Sequence, residues 1–137
     1  MKHQISPDDL KFRDRFTANG VLPSEFHHRE HLRLAYIFLA EHGENAAAEF
    51  RRALQSFLQH HNIDPAKYHE TLTQAWLLAV AHFMKRSTAM MGSEEFVEAN
   101  PALLDPQIML THYSQDVIAS LQARRAFIEP DRQPIPR

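Results

Sequence analysis

The chain contains no cysteine. That excludes disulfides, thiolate metal clusters and a cysteine nucleophile. Only 3 glycines occur in 137 residues, too few for the tight turns of a β-rich domain. No run approaches the roughly 18 uninterrupted apolar residues of a membrane span. The opening Met1-Lys2-His3-Gln4-Ile5-Ser6-Pro7 has no apolar signal core, so a cytoplasmic location without membrane attachment is expected. Neither sign of charge dominates: 15 Lys and Arg stand against 17 Asp and Glu, a net charge of -2. Such a balance does not suit a phosphate-backbone binder, and no nucleic-acid partner is expected. There is also no glycine-rich phosphate loop and no G-x-S-x-G, which argues against nucleotide cofactors and serine hydrolysis.

What is present has ordinary globular proportions, 44% hydrophobic and 23% charged residues. The length suits one domain with a core of its own, residues 1–137. Local signals divide it into helices. Ser6-Pro7-Asp8-Asp9 caps and starts a first helix, which Asn19-Gly20 stops near residue 18. A second is expected over about 27–42, closed by Gly43, and a third over 44–60. Asn62-Ile63-Asp64-Pro65 breaks the chain and restarts it as a fourth helix over 66–85. A short helix follows from Ser93, and a last one runs from Asp105-Pro106 to about Phe127, with a break near Ser114. Residues 128–137, with three prolines, form an extended proline-rich tail. The expected fold is all-α, a single compact bundle of about five to six helices.

The unusual number is 10 histidines. At about 100° per residue, Leu32, Ala35 and Leu39 share one face of the second helix; His28 lies within that arc and His31 at its edge. The fourth helix is apolar over most of its circumference, which makes it central. His69 flanks its main stripe, while Glu70 points away from it. In the last helix Tyr113 and Arg124 fall on the apolar side. An arginine there is costly to bury without an anionic partner. His3, His42, His60 and His61 read as solvated surface residues.

Three blocks stand out as text: Phe26-His27-His28-Arg29-Glu30-His31-Leu32, Tyr68-His69-Glu70-Thr71-Leu72-Thr73 with Trp76, and His112-Tyr113-Ser114 with Ala123-Arg124, Phe127 and Pro130-Asp131. Together they resemble a family of small uncharacterised bacterial helical proteins over residues 26–131. The resemblance implies an all-helical fold and carries no activity with it.

Three functions of different class follow from the residues. In the first, His28, His31 and His69 hold a divalent metal such as zinc, iron or manganese, with Glu70 as a fourth ligand or general base. Glu-x-x-His spacing occurs at Glu25–His28 without a second copy, which disfavours a di-iron centre. In the second, a metal-free enzyme or binder holds a small anionic ligand on Arg124, with the histidines moving protons and Glu70 and Tyr113 as further catalytic candidates. In the third, the protein is a non-enzymatic homodimeric interaction module. The apolar fourth helix, and Ile37 on the outer side of the second, would supply the surface.

Overall fold

The computed structural model describes residues 3–137. Among the described residues there are seven α-helices and no strand: α1 (Pro7–Thr17), α2 (His28–His42), α3 (Ala46–His60), α4 (Glu70–Arg86), α5 (Ser93–Ala99), α6 (Gln115–Ala119) and α7 (Leu121–Arg125). Short 3₁₀ turns join several of them. The fold is all-α, and none of these helices is long and apolar enough to cross a membrane.

The first three helices follow their local signals. Ser6 Oγ accepts from the Asp9 amide at 3.0 Å while the Asp9 carboxylate accepts from the Ser6 amide at 3.2 Å, a capping box. Gly43 ends α2 at φ +54°, a backbone setting that side-chain-bearing residues avoid. Two later segments depart from expectation. The fourth helix starts at Glu70 rather than near residue 66. Pro65–Lys67 is a 3₁₀ turn, and Tyr68 and His69 are extended before the helix begins. The expected last helix is broken into the 3₁₀ stretch Pro106–Thr111, α6 and α7. Ser114 and Ser120 each turn a side chain onto the backbone amide three residues ahead, Val117 and Ala123. A serine bonded this way caps a new helix instead of continuing the old one.

Helix α2 is the hub, packed against α1, α3, α4 and α5. Five consecutive residues, Leu34 to Phe38, are buried. Ile37 is 0% exposed, so the outer side expected to suit a homodimer is covered within the chain, because α1, α3, α4 and α5 surround α2. The α4 stripe of Ala75, Trp76, Ala79 and Val80 packs inside the same core.

The polar face of α2 is covered as well. Asp9, 0% exposed, accepts from the Ser93 amide at 2.8 Å and the Ser93 hydroxyl at 2.5 Å, with Arg33 at 3.4 Å. Arg33 and Arg29 also pair with Glu94 at the start of α5. The region before α1 is held by His3, which donates Nε2–H to the Met84 carbonyl at 2.6 Å and accepts from the Met90 amide on Nδ1. His3 is therefore an internal fastening, not a solvated surface residue. His61 also departs from that expectation, since its Nε2 is buried with no hydrogen-bond partner.

The tail is extended, as its prolines require, and it is docked. Tyr113 donates to the Ile128 carbonyl at 2.7 Å, the Arg132 amide to the His112 carbonyl at 2.9 Å, and Ile135 is buried.

Candidate functional site

A cavity of about 350 Å³ opens where the N-terminal ends of α2 and α4 meet the C-terminal half of α3. Helix α3 contributes Leu54, Phe57 and Leu58 to its wall, and α4 contributes Leu72, Thr73 and Trp76. Phe26 closes one side, and Tyr68 the other. His28, His31 and His69 all reach this cavity, with His27 and Lys67, both exposed, at its mouth. The third helix carried no chemical signal in the sequence and went unweighed as a site element. The 4-3 spacing of Phe50, Leu54 and Phe57 was the sign that one face of it is internal.

His28 is the first residue of α2. Its Nε2 lies 2.8 Å from the Leu103 carbonyl oxygen. A carbonyl can only accept, so Nε2 carries a proton, and Nδ1 has no hydrogen-bond partner among the described residues. The ring stands edge-on to Trp76, 4.6 Å between centroids, which restricts its rotation. His31 follows one turn later, between Phe26 at 5.7 Å and Phe50 at 5.3 Å. Burial, with the nearby His28 adding to it, pushes the His31 pKa down to about 4. Its ring is therefore neutral near pH 7, one nitrogen a donor and the other an acceptor. No protein group among the described residues hydrogen-bonds to it. The first α2 amides, those of His28, Arg29 and Glu30, also come before the helix's internal bonding begins.

His69 shares the wall and differs in chemistry. It sits just before α4 and accepts the Leu72 amide on Nδ1 at 3.1 Å, while Nε2 donates to the Ile118 carbonyl at 2.8 Å. Burial lowers its pKa, against the pull of the Ile118 hydrogen bond. Both nitrogens are consumed by the fold, so His69 presents a ring and no free lone pair. The expectation of a His28, His31 and His69 ligand set is corrected accordingly. Among the described residues no three histidines, aspartates or glutamates are arranged to hold a metal ion.

Glu70 is adjacent in sequence and faces elsewhere. It lines a second concavity, a groove of about 920 Å³ on the far side of Tyr68. Its carboxylate accepts from Arg51 Nε at 2.8 Å and Nη2 at 2.6 Å, from the Tyr68 hydroxyl at 2.6 Å, and from Gln74. The Arg51 hydrogen bonds above all hold its pKa down to about 2. A carboxylate so saturated is a poor base, which corrects its expected catalytic role. Arg124 lines this same groove and donates to the Ala66 carbonyl at 3.1 Å; it does not line the histidine cavity, and only its charge is felt there, helping to lower the His69 pKa. Tyr113 lines neither space. It is 0% exposed, burial pushes its pKa up to about 12, and its hydroxyl fastens the tail.

Thus the structure brings His28, His31 and His69 together, groups Glu70 with Arg124 next door, and sets Tyr113 apart. Comparison with family models, curated proteins and solved structures finds no match to this chain. Its function is argued from the site itself.

Proposed function

We propose that the protein binds a small, mainly apolar molecule carrying one polar group, with the body against Phe26, Phe57 and Trp76 and the polar group on His28 and His31. The observation that carries this reading is a pair of imidazoles, His28 with Nδ1 unbonded by the protein and His31 neutral and without a protein partner, on the wall of a mainly apolar cavity. The volume lies at the small end of ligand pockets, which combine apolar walls with a few placed polar groups.

The same geometry suits metal-free proton transfer. With Nε2 held on the Leu103 carbonyl, His28 offers Nδ1 as a base of fixed direction, and His31 stands one turn away as a second donor or acceptor. The metal-dependent alternative keeps one supporting observation, the adjacency of His28 and His31 on α2. Two imidazoles would leave a zinc, iron or manganese ion to take its other ligands from water or substrate.

The test is a titration with phenol and benzamide, followed through histidine ring nitrogen signals by NMR at pH 7. Binding should move the His28 Nδ1 and His31 signals, leave those of His69 nearly still, and be lost in His31→Gln. If neither probe moves them, the small-ligand reading fails. Near-stoichiometric zinc, iron or manganese in the untagged protein, lost in a folded His28→Ala variant, would put the metal reading in its place.

A further inference from the structure

We infer that the groove between α3 and α7 is a second, separate site, which takes a small organic anion: a carboxylate or phosphate on an apolar body. It is independent of the histidine cavity, from which Tyr68 and Leu58 separate it as a shared wall.

The argument is one of unanswered charge. Three guanidiniums line the groove: Arg51 from α3, and Arg124 and Arg125 from α7. One carboxylate faces them, Glu70, and Arg51 takes it in a two-pronged pair. The remaining Glu70 hydrogen bonds come from Tyr68 and Gln74. Among the described residues no carboxylate pairs with Arg124 or Arg125, whereas Arg13, Arg15, Arg29, Arg33, Arg52 and Arg137 find acids; Arg86 and Arg132 find none either, but neither lines this groove, and Arg132 donates to the Leu110 carbonyl. Two cations therefore remain over, in a concavity whose only acid is already spent.

Arg124 is also held in place. It is half-buried, and one of its N–H groups donates to the Ala66 carbonyl at 3.1 Å. That contact uses one of five donors and orients the rest of a planar fork that matches an oxyanion. The groove supplies more than charge. Phe127 and the exposed Leu121 give it an apolar side, and Gln55 adds an amide. A bare inorganic ion would leave that apolar side uncovered, so the fitting ligand has both an oxyanion and an organic body.

The test is a titration at constant ionic strength with phenyl phosphate, benzoate, inorganic phosphate and neutral benzyl alcohol, followed through the arginine Nε–Hε NMR signals. Phenyl phosphate or benzoate should move the Arg124 and Arg125 signals, and the tighter of the two identifies the oxyanion. Arg125→Gln should weaken binding about tenfold, the loss expected for one charge-assisted hydrogen bond. Arg125 is exposed, so this variant keeps the fold even if Arg124→Gln does not. Partial recovery in Arg125→Lys would support a charge-dependent contact. The inference is overturned if benzyl alcohol moves the same signals equally, if inorganic phosphate binds as tightly as phenyl phosphate, or if Arg125→Gln binds like the native protein. The phenol and benzamide titration of the histidine cavity reports on other residues, so either site can fail alone.

Discussion

Asp9, on α1, and His31, on the hub helix α2, are both polar side chains turned inward, and both lie against the N-terminal half of α2. Around Asp9, a carboxylate with no exposed surface collects the amide and hydroxyl of Ser93, the amide of Ser6 and the guanidinium of Arg33. Around His31, aromatic rings supply the packing and no group hydrogen-bonds to the imidazole. The first region ties α1, α2 and α5 together; the second leaves hydrogen-bonding capacity facing a cavity. Burial of a polar group therefore does not by itself mark function. What separates the two regions is whether the fold has already used the group's donors and acceptors. His69 makes the point within one cavity, since it lies beside His28 and His31 and belongs chemically with Asp9.

The largest effect expected from breaking this contrast is at Asp9. Asp9→Asn places an amide where both carboxylate oxygens accept from Ser93, leaving a buried donor facing donors and Arg33 short of an anion. A loss of about 3 kcal/mol or more is expected in urea unfolding at pH 7, with ligand binding in the histidine cavity unchanged once the protein is folded. A loss under about 1 kcal/mol would show that the cluster is not a structural tie.

Acid sharpens the other side. The folded-state pKa of His31, about 4, lies below its unfolded value of 6.5, so the unfolded chain takes up the proton first. The stability this group contributes is present above pH 6.5 and is lost as pH falls from 6.5 towards 4. The slope is at most about 1.4 kcal/mol per pH unit, and the loss at most about 3 kcal/mol across the window. Subtracting the pH–stability curve of His31→Gln from that of the native protein isolates the contribution. Parallel curves would mean that His31 is solvated.

Tyr113→Phe removes only the hydroxyl that holds the Ile128 carbonyl. It should cost about 1 kcal/mol and raise amide exchange in residues 128–135, with binding untouched. The smallest stability effect belongs to His28→Gln, under about 0.5 kcal/mol, because an amide N–H can replace Nε2 as donor to Leu103. The base at Nδ1 is lost in the same variant, so any acid–base activity should vanish while the melting curve stays near the native one. A large destabilisation there would place His28 with Asp9 among the structural groups.

Much of the architecture was legible from local signals. Ser6-Pro7 and Gly43 mark ends that the structure has, and the helical period puts His28 and His31 on one apolar face, where both line the cavity. The errors cluster where a polar side chain had two options of similar energy. Ser114 and Ser120 are compatible with a continuing helix by spacing, yet cap new ones. Tyr68 and His69 fit a helical stripe, yet lie extended before it. Asp9 reads as a first-turn acid complementing the helix dipole, and nothing near it announces Ser93, 84 positions away.

By itself the sequence determined the all-helical class, the two-histidine face of α2 and the absence of thiol chemistry, because composition and the 3.6-residue period are local properties of a chain. Only the tertiary structure decided which histidine keeps a free lone pair, that Glu70 is spent on Arg51, and that Arg124 stands in a different concavity from His31. Those outcomes depend on carbonyls and cations brought in from distant positions, such as Leu103 for His28 and Ile118 for His69. A hydrogen-bond partner is chosen by proximity in the folded state, which no spacing along one helix encodes.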